Sequence, residues 1–215
     1  MKYAGLTLLT LLLCPCPLPS QPGVGASVGG KTAPDGTEIM IDLPGGEHRH
    51  NVTSRGQGCC VQTSINHSAR WQNVPALIDF QKWVQEKGLP GGAYPGAVDQ
   101  RIPRCCQDRG YPVVEYVQVE NSKDLEFLRL ACATGRMPGV TYGRSPTRRY
   151  NGQLIAHMVS LPHCDEKWVA VLDNNYTGEN AYEWMTPDEF LRVCNPRGYW
   201  AVVLLPPPPP PPPKN

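Results

Sequence analysis

The chain has 215 residues, a net charge of +1, nine cysteines and 24 prolines. A balance so close to neutral argues against a polyanionic partner such as nucleic acid or an acidic membrane surface. Once two compositionally unusual ends are set aside, about 180 residues remain, enough for one domain with a substantial core.

The first of those ends is residues 1–20. Met1-Lys2-Tyr3 leads into an apolar run from Leu6 to Leu13, and a Pro-rich exit closes at Ser20. A charged start, a short apolar core and a small-residue exit make the pattern of a secretory signal, and the run is too short for a permanent span. The expected destination is the exterior or the cell envelope. Lipidation at Cys14 or Cys16 is disfavoured, because Leu13 and Pro15 stand where a small residue is needed. Residues 21–55 read as an irregular Gly-, Asp- and Lys-rich lead-in, with one strand candidate at Glu38–Leu43.

The folded domain is expected over residues 56–205. Val61, Ile65 and Ala69 recur every fourth residue, the apolar stripe of a helix that ends near Trp71. Pro75 is placed to open a second helix with Leu77, Phe80 and Val84 on one face, closed by Gly88. Gly88–Gly96 is a Gly- and Pro-rich loop, and Ala97–Asp108 a weaker helix. Beyond Gly110 the period drops to two, with Val113, Val117 and Val119 on one face of a strand. Asn121 or Ser122 is placed to cap a helix carrying Leu125, Leu128 and Cys132. Gly139–Tyr142 reads as a short strand, and 143–154 as a polar loop containing Arg144, Arg148 and Arg149. Ala156–Leu161 and Lys167–Leu172 suggest a hairpin around Pro162–Glu166. Thr186-Pro187-Asp188-Glu189 is a capping box that opens a helix over Pro187–Cys194, and Tyr199–Leu205 is a last strand. Helices first and strands mostly later make an α+β domain. The second unusual end, residues 206–215, begins with eight prolines. They favour an extended polyproline helix, a solvated spacer or a ligand for an aromatic groove.

Seven cysteines follow the signal, and an odd number in an exported chain leaves one thiol over after pairing. Up to three disulfides are therefore expected among Cys59, Cys105, Cys106, Cys132, Cys164 and Cys194, with Cys60 spared. Cys60 opens the first helix, where unpaired N–H groups and a partial positive charge favour a thiolate. His157 follows 97 residues later at the start of a strand, and its imidazole can take the thiol proton and return it to a leaving group. Cys59 competes for the first role. His157 is preferred to His48 and His50 in the lead-in, to His67 on the polar side of its helix, and to His163 in the hairpin turn. Asp173, at the end of the next strand, is the candidate to fix the imidazole tautomer. Asn174 and Asn175 are alternatives, and all three also suit a turn. A metal site built from His48, His50 and Cys59 or Cys60 is disfavoured by an oxidising compartment, and no cofactor is expected.

The stretches Gly58-Cys59-Cys60-Val61-Gln62-Thr63-Ser64-Ile65, Ala156-His157-Met158-Val159 and Val169-Ala170-Val171-Leu172-Asp173-Asn174-Asn175 resemble the papain-like cysteine peptidase superfamily. The resemblance spans about residues 56–205. The short Cys-to-His interval looks more like the bacterial leader-peptide-cleaving, bacteriocin-processing-like branch than papain, whose interval is about 130 residues or more. It implies N-terminal helices carrying the Cys, packed on an antiparallel sheet carrying the His. Cys60 would be the nucleophile, His157 the general base and Asp173 its orienting partner, acting on a peptide or protein through an acyl-enzyme. An acyl transferase or amidase of the same fold, or a catalytically silent binding domain, are the alternatives. One departure stands out: the family's oxyanion Gln lies six residues before the nucleophile, and that position is Ser54. Gln57, three before, is the candidate in its place.

Overall fold

A computed structural model describes residues 27–143, 147, 149–194 and 197–210. The expected signal at 1–20, Arg144, Arg148 and the last five residues of the chain lie outside the described residues. Five helices pack against a seven-stranded antiparallel sheet. In chain order the elements are β1 (Ser27–Val28), β2 (Thr53–Ser54), β3 (Gln57–Gly58), α1 (Cys60–Trp71), α2 (Phe80–Glu86), α3 (Pro95–Asp108), β4 (Tyr116–Ser122), α4 (Glu126–Ala133), β5 (Gly139–Tyr142), β6 (His157–Cys164), β7 (Val169–Leu172), β8 (Tyr182–Met185), α5 (Pro187–Cys194) and β9 (Tyr199–Leu204). The sheet runs β1-β8-β7-β6-β5-β9-β4, and β2 and β3 form a separate two-stranded ribbon.

Strand alternation builds two apolar layers, one on each face of the sheet. Val159 and Leu161 of β6, with Tyr199 and Ala201 of β9, pack against Leu128 and Cys132 of α4 and Phe190 and Val193 of α5. Met158 of β6, with Val202 and Leu204 of β9, faces the opposite way onto α1, α2 and α3. The order of helices and strands in the sequence thus yields the expected α+β architecture.

Helix α1 is the central element, and its burial exceeds what the Val61–Ile65–Ala69 stripe implies. Every residue from Cys60 to Ala69 is buried, six of them polar. Buried polar groups are costly unless hydrogen-bonded, and most of these have partners. Thr63 Oγ1 donates to Cys59 O at 2.9 Å, Ser64 Oγ to Met158 O at 3.2 Å and Ser68 Oγ to Met137 O at 2.7 Å. Asn66 Oδ1 accepts the Asp79 N–H at 2.9 Å. His67, expected on a polar face, is enclosed instead: Nδ1 meets Ser160 Oγ at 3.0 Å and Nε2 accepts the Arg49 N–H at 2.8 Å. Burial pushes its pKa down to about 3, so the ring is neutral.

Other boundaries shift for local reasons. The helix expected from Pro75 breaks into a 3₁₀ turn at Pro75–Leu77 and α2, because Asp79 adopts a left-handed φ of 56° and is held there by Asn66 and Arg70. Glu38–Leu43 is no strand; beyond one bridge at Glu38, its Ile41 N–H reaches Pro162 O, and Ile41 and Leu43 are buried. The strand expected at Val113 begins at Tyr116 and runs through Ser122, so neither Asn121 nor Ser122 caps α4; Asp124 Oδ1 takes the Glu126 N–H instead. Strand β6 continues to Cys164, which places His163 inside the sheet rather than in a turn. The tighter turn is made by Asp165, whose Oδ1 accepts the N–H groups of Lys167 and Trp168, each at 2.7 Å. The capping box is formed: Glu189 N–H donates to Thr186 Oγ1 and Thr186 N–H to Glu189 Oε2, both at 3.3 Å.

The expected disulfides are not formed. All seven cysteines of the described residues are free and buried. They sit as small apolar side chains in the two layers, Cys132, Cys164 and Cys194 in one and Cys59, Cys60, Cys105 and Cys106 in the other. Of the proline tail, the described part leaves the sheet with its Pro206 carbonyl bonded by Gln72 Nε2 at 2.6 Å. No described helix is long and apolar enough to cross a membrane.

Candidate active site

Cys60 is the first residue of α1, preceded by Cys59, whose side chain makes no capping bond. The unsatisfied N–H groups of the first helical turn are therefore available to the thiol. The groups that act on Cys60 Sγ are His157 and the backbone N–H groups of Val61 and Met158. Burial pushes the thiol up, but the His157 hydrogen bond and charge, with those two N–H groups, outweigh it and hold it below the ordinary value. Cys59 contrasts sharply. Burial and the adjacent Cys60 push it up to about 11, which leaves it a thiol. The tandem pair thus divides into one sulfur held below the ordinary value and one pushed well above it.

His157 opens β6 and pairs across to Tyr142 of β5. Its Nε2 lies 2.8 Å from Asp173 Oδ1, which leaves Nδ1 as the nitrogen toward Cys60. Burial lowers the imidazole, yet the bonds to Asp173 and Cys60 dominate and bring it up to about 9. Asp173, just past the end of β7, is fully enclosed. Burial raises its carboxyl, but His157, the Asn175 N–H and the Tyr150 hydroxyl hold it below the usual carboxylate range. The Asn175 N–H reaches Oδ1 at 2.9 Å and Tyr150 Oη donates to Oδ2 at 2.7 Å.

Asn174 does not reach His157. Its Nδ2 donates to Cys60 O at 3.2 Å, Ser64 Oγ at 3.1 Å and Met158 O at 3.0 Å, so it rivets the start of α1 to β6. Losing these buried bonds costs about 1–3 kcal/mol in all. Asn174→Ala is therefore expected to lower the unfolding free energy by that amount, seen as a lower urea midpoint, without altering the pH dependence of Cys60 labelling. Asn175 turns to Tyr150 Oη at 3.1 Å and to Asn51 at 3.0 Å.

Two residues of the polar loop, Arg149 and Tyr150, carry a role that the sequence did not assign them. Tyr150 sits edge-on to the His157 ring, centroids 6.1 Å apart. The Arg149 guanidinium lies nearly buried with Nε 3.0 Å from Asp173 Oδ2, a charge contact rather than an aligned hydrogen bond. It also covers the Tyr176 ring at 3.9 Å and reaches the Asn180 and Tyr182 carbonyls. An Arg-Tyr pair within a loop carries no distinguishing pattern, so only the fold shows that it buttresses the carboxylate.

Cys60 and His157 form one wall of a cavity of about 380 Å³ that also touches Gln57, Gly92, Thr141 and Trp200. Gln57 Oε1 accepts the Gly92 N–H at 3.1 Å, which leaves its amide NH₂ as the free end. Only glycine permits this approach: a Cβ on Gly91 would stand 2.0 Å from Gln57 O, and one on Gly92 2.6 Å from Gln57 Oε1. Ser54, in the position where the resemblance expects Gln, is turned away, its Oγ donating to Leu89 O at 2.6 Å. His48 and His50 are engaged elsewhere, by Leu43 O and by Asn175 O.

No protein-family model and no curated protein matches this sequence. Among solved structures, the chain is similar to a crystal structure of a protein from Bacillus anthracis assigned as a C39-like peptidase. The two share 15% identity with a TM-score of 0.53 over 78% of this chain and 96% of the other. At that identity the likeness establishes the fold, which is that of papain-like cysteine peptidases.

Proposed function

We propose that the protein is a cysteine peptidase that cleaves peptide or protein substrates through an acyl-enzyme. The observation that carries this reading is the imidazole held between Cys60 and Asp173 at a cavity wall, with Nε2 2.8 Å from the carboxylate. In the proposed reaction the Cys60 thiolate adds to the scissile carbonyl, and the oxyanion is met by the Cys60 N–H and the Gln57 amide. His157 hands its proton to the departing amine as the C–N bond breaks, then takes one from the water that hydrolyses the thioester. Asp173 holds the ring in the tautomer that leaves Nδ1 for sulfur. Gln57, lining the same cavity as Cys60 and tied through its Oε1 to the Gly92 N–H, supports the active over the silent reading as a candidate donor in place of Ser54. The 97-residue interval from Cys60 to His157 supports kinship with leader-peptide-cleaving enzymes rather than with papain itself. Turnover of a position-scanning peptide library, abolished in Cys60→Ala, is the expected result. Transfer of the acyl group to an added amine, with no hydrolysis, would redirect the reading to a transferase. Library peptides left intact by wild type would refute it.

A further inference from the structure

The cavity at Cys60 does not end at its own wall. A second cavity of about 160 Å³ shares Ala93, Thr141 and Trp200 with it, so the two form one groove leading away from the thiol. Beyond Trp200 the walls are Tyr94, Pro95, Glu120 and Tyr199. Two features of that end are unlike the rest. Tyr94 is 65% exposed, an aromatic ring left in solvent at the rim. Glu120, exposed at the end of β4, is the one carboxylate among the described lining residues, which include no Lys or Arg, and it makes no ion pair with a described residue.

Behind this end stand a second carboxylate, Asp99, and a cation, Arg101, whose guanidinium is taken up by the Gly91 and Gly92 carbonyls at 3.4 and 3.2 Å. Trp200 is fixed by Nε1 donating to Gln118 Oε1 at 2.9 Å. Gln118 Nε2 in turn donates to Asp99 Oδ1 at 2.8 Å, and Tyr116 Oη donates to the same oxygen at 2.6 Å. Asp99 is thus bonded by neutral donors. A cation over an aromatic face is attracted by the ring quadrupole, and a nearby carboxylate adds to that attraction while repelling an acidic side chain.

We infer that the Tyr94–Trp200–Glu120 end of the groove is a subsite for a cationic side chain, so that preferred peptides carry Lys or Arg at a fixed distance from the scissile bond. This specificity rests on the peptidase reading of Cys60. Glu120 supplies the charge recognition, and Tyr94 and Trp200 flank the aliphatic stem and head group.

The test is a position-scanning peptide library in which each residue flanking the cleaved bond is Lys, Arg, Ala or Glu. At one position, Lys and Arg are expected to exceed Glu by about tenfold in kcat/KM. Glu120→Gln is expected to bring the four within about twofold of one another, and Glu120→Lys to reverse the order. Cleavage with no cationic preference, or a preference that survives Glu120→Gln, overturns the inference and leaves the peptidase reading intact. Where no peptide is cleaved, the peptidase reading fails, and fluorescence anisotropy with Cys60→Ala decides the subsite independently. A Lys-bearing hexapeptide bound about tenfold tighter than its Glu counterpart, with the difference lost in Glu120→Gln, upholds it; equal binding rejects it.

Discussion

Replacing His157 with alanine is expected to lower peptide turnover by about 10⁴-fold or more and to move Cys60 alkylation to higher pH. Burial alone drives the Cys60 thiol upward, and the largest opposing influences are the hydrogen bond and charge of His157. Without the ring, the Val61 and Met158 N–H groups remain, but they face an enclosed sulfur with no neighbouring cation. The thiolate fraction near neutrality then falls. In the proposed reaction the Cys60–His157 ion pair is expected between two limits. Cys60, held low, is ionised from the acid side, and His157, raised to about 9, keeps its proton until the pH climbs through that value. Turnover is therefore expected to rise through the Cys60 pKa and to decline near pH 9, a bell whose basic arm reports the imidazolium. Iodoacetamide labelling across pH for wild type, Cys60→Ala and His157→Ala checks this. Cys59 supplies the internal control, since at about 11 it stays a thiol throughout. A Cys60 whose labelling profile is unmoved by His157→Ala would sink the ion-pair reading.

How much of this was legible beforehand depends on the range of the interactions involved. The capping box at Thr186–Glu189 is complete within four residues, and the structure reproduces it with the helix bounds intact. Cys60 and His157 were marked by local pattern, a helix start and a strand start, and both elements lie where the pattern put them. Asp173 was singled out from a run of three turn residues by its place after β7, and the tertiary contacts then separate the three roles. Asp173 faces the ring, Asn174 faces the helix start, and Asn175 faces Tyr150. That division depends on which way each side chain leaves a turn, and no spacing encodes it. Helix α1 misled for a related reason. A stripe of Val61, Ile65 and Ala69 reads as one buried face, whereas polar partners from Asp79, Met137, Met158 and Ser160 allow the opposite face to be buried as well. The disulfide expectation failed because it counted cysteines by compartment; the fold spends them as core side chains instead. The lead-in, read as irregular, supplies β1 at the sheet edge beside β8, a pairing of only two residues.

The second large effect is expected from Asp173→Asn: a loss of about 10²–10⁴ in kcat with a smaller change in KM, and a basic limb shifted to lower pH. The hydrogen bond to Asp173 is the largest influence raising His157, and its charge adds to it. With an amide in its place the ring loses that support, burial pulls its pKa down, and the proton needed by the leaving amine is lost at lower pH. The amide can also present its NH₂ to Nε2, which favours the tautomer that puts the proton on the sulfur side. Asn is preferred to Ala for this test because Arg149 is nearly buried beside Asp173 Oδ2. Either substitution leaves that guanidinium with Glu183 3.9 Å away as its remaining acid, a loss of about 3–5 kcal/mol, but Ala would also open a cavity and remove both side-chain oxygens beside it. Asn keeps the side-chain volume and an oxygen for the Tyr150 hydroxyl, giving up only the Asn175 N–H acceptor and the charge, and the urea midpoint separates a folding defect from a chemical one. The measurement is kcat against pH for wild type, Asp173→Asn and Asn174→Ala, with the urea midpoint of each. Asn174→Ala should shift the midpoint and leave the basic limb near pH 9. An Asp173→Asn enzyme with wild-type kcat and an unshifted limb would show that the carboxylate does not orient the imidazole, and would pass that role to Tyr150 or Asn175.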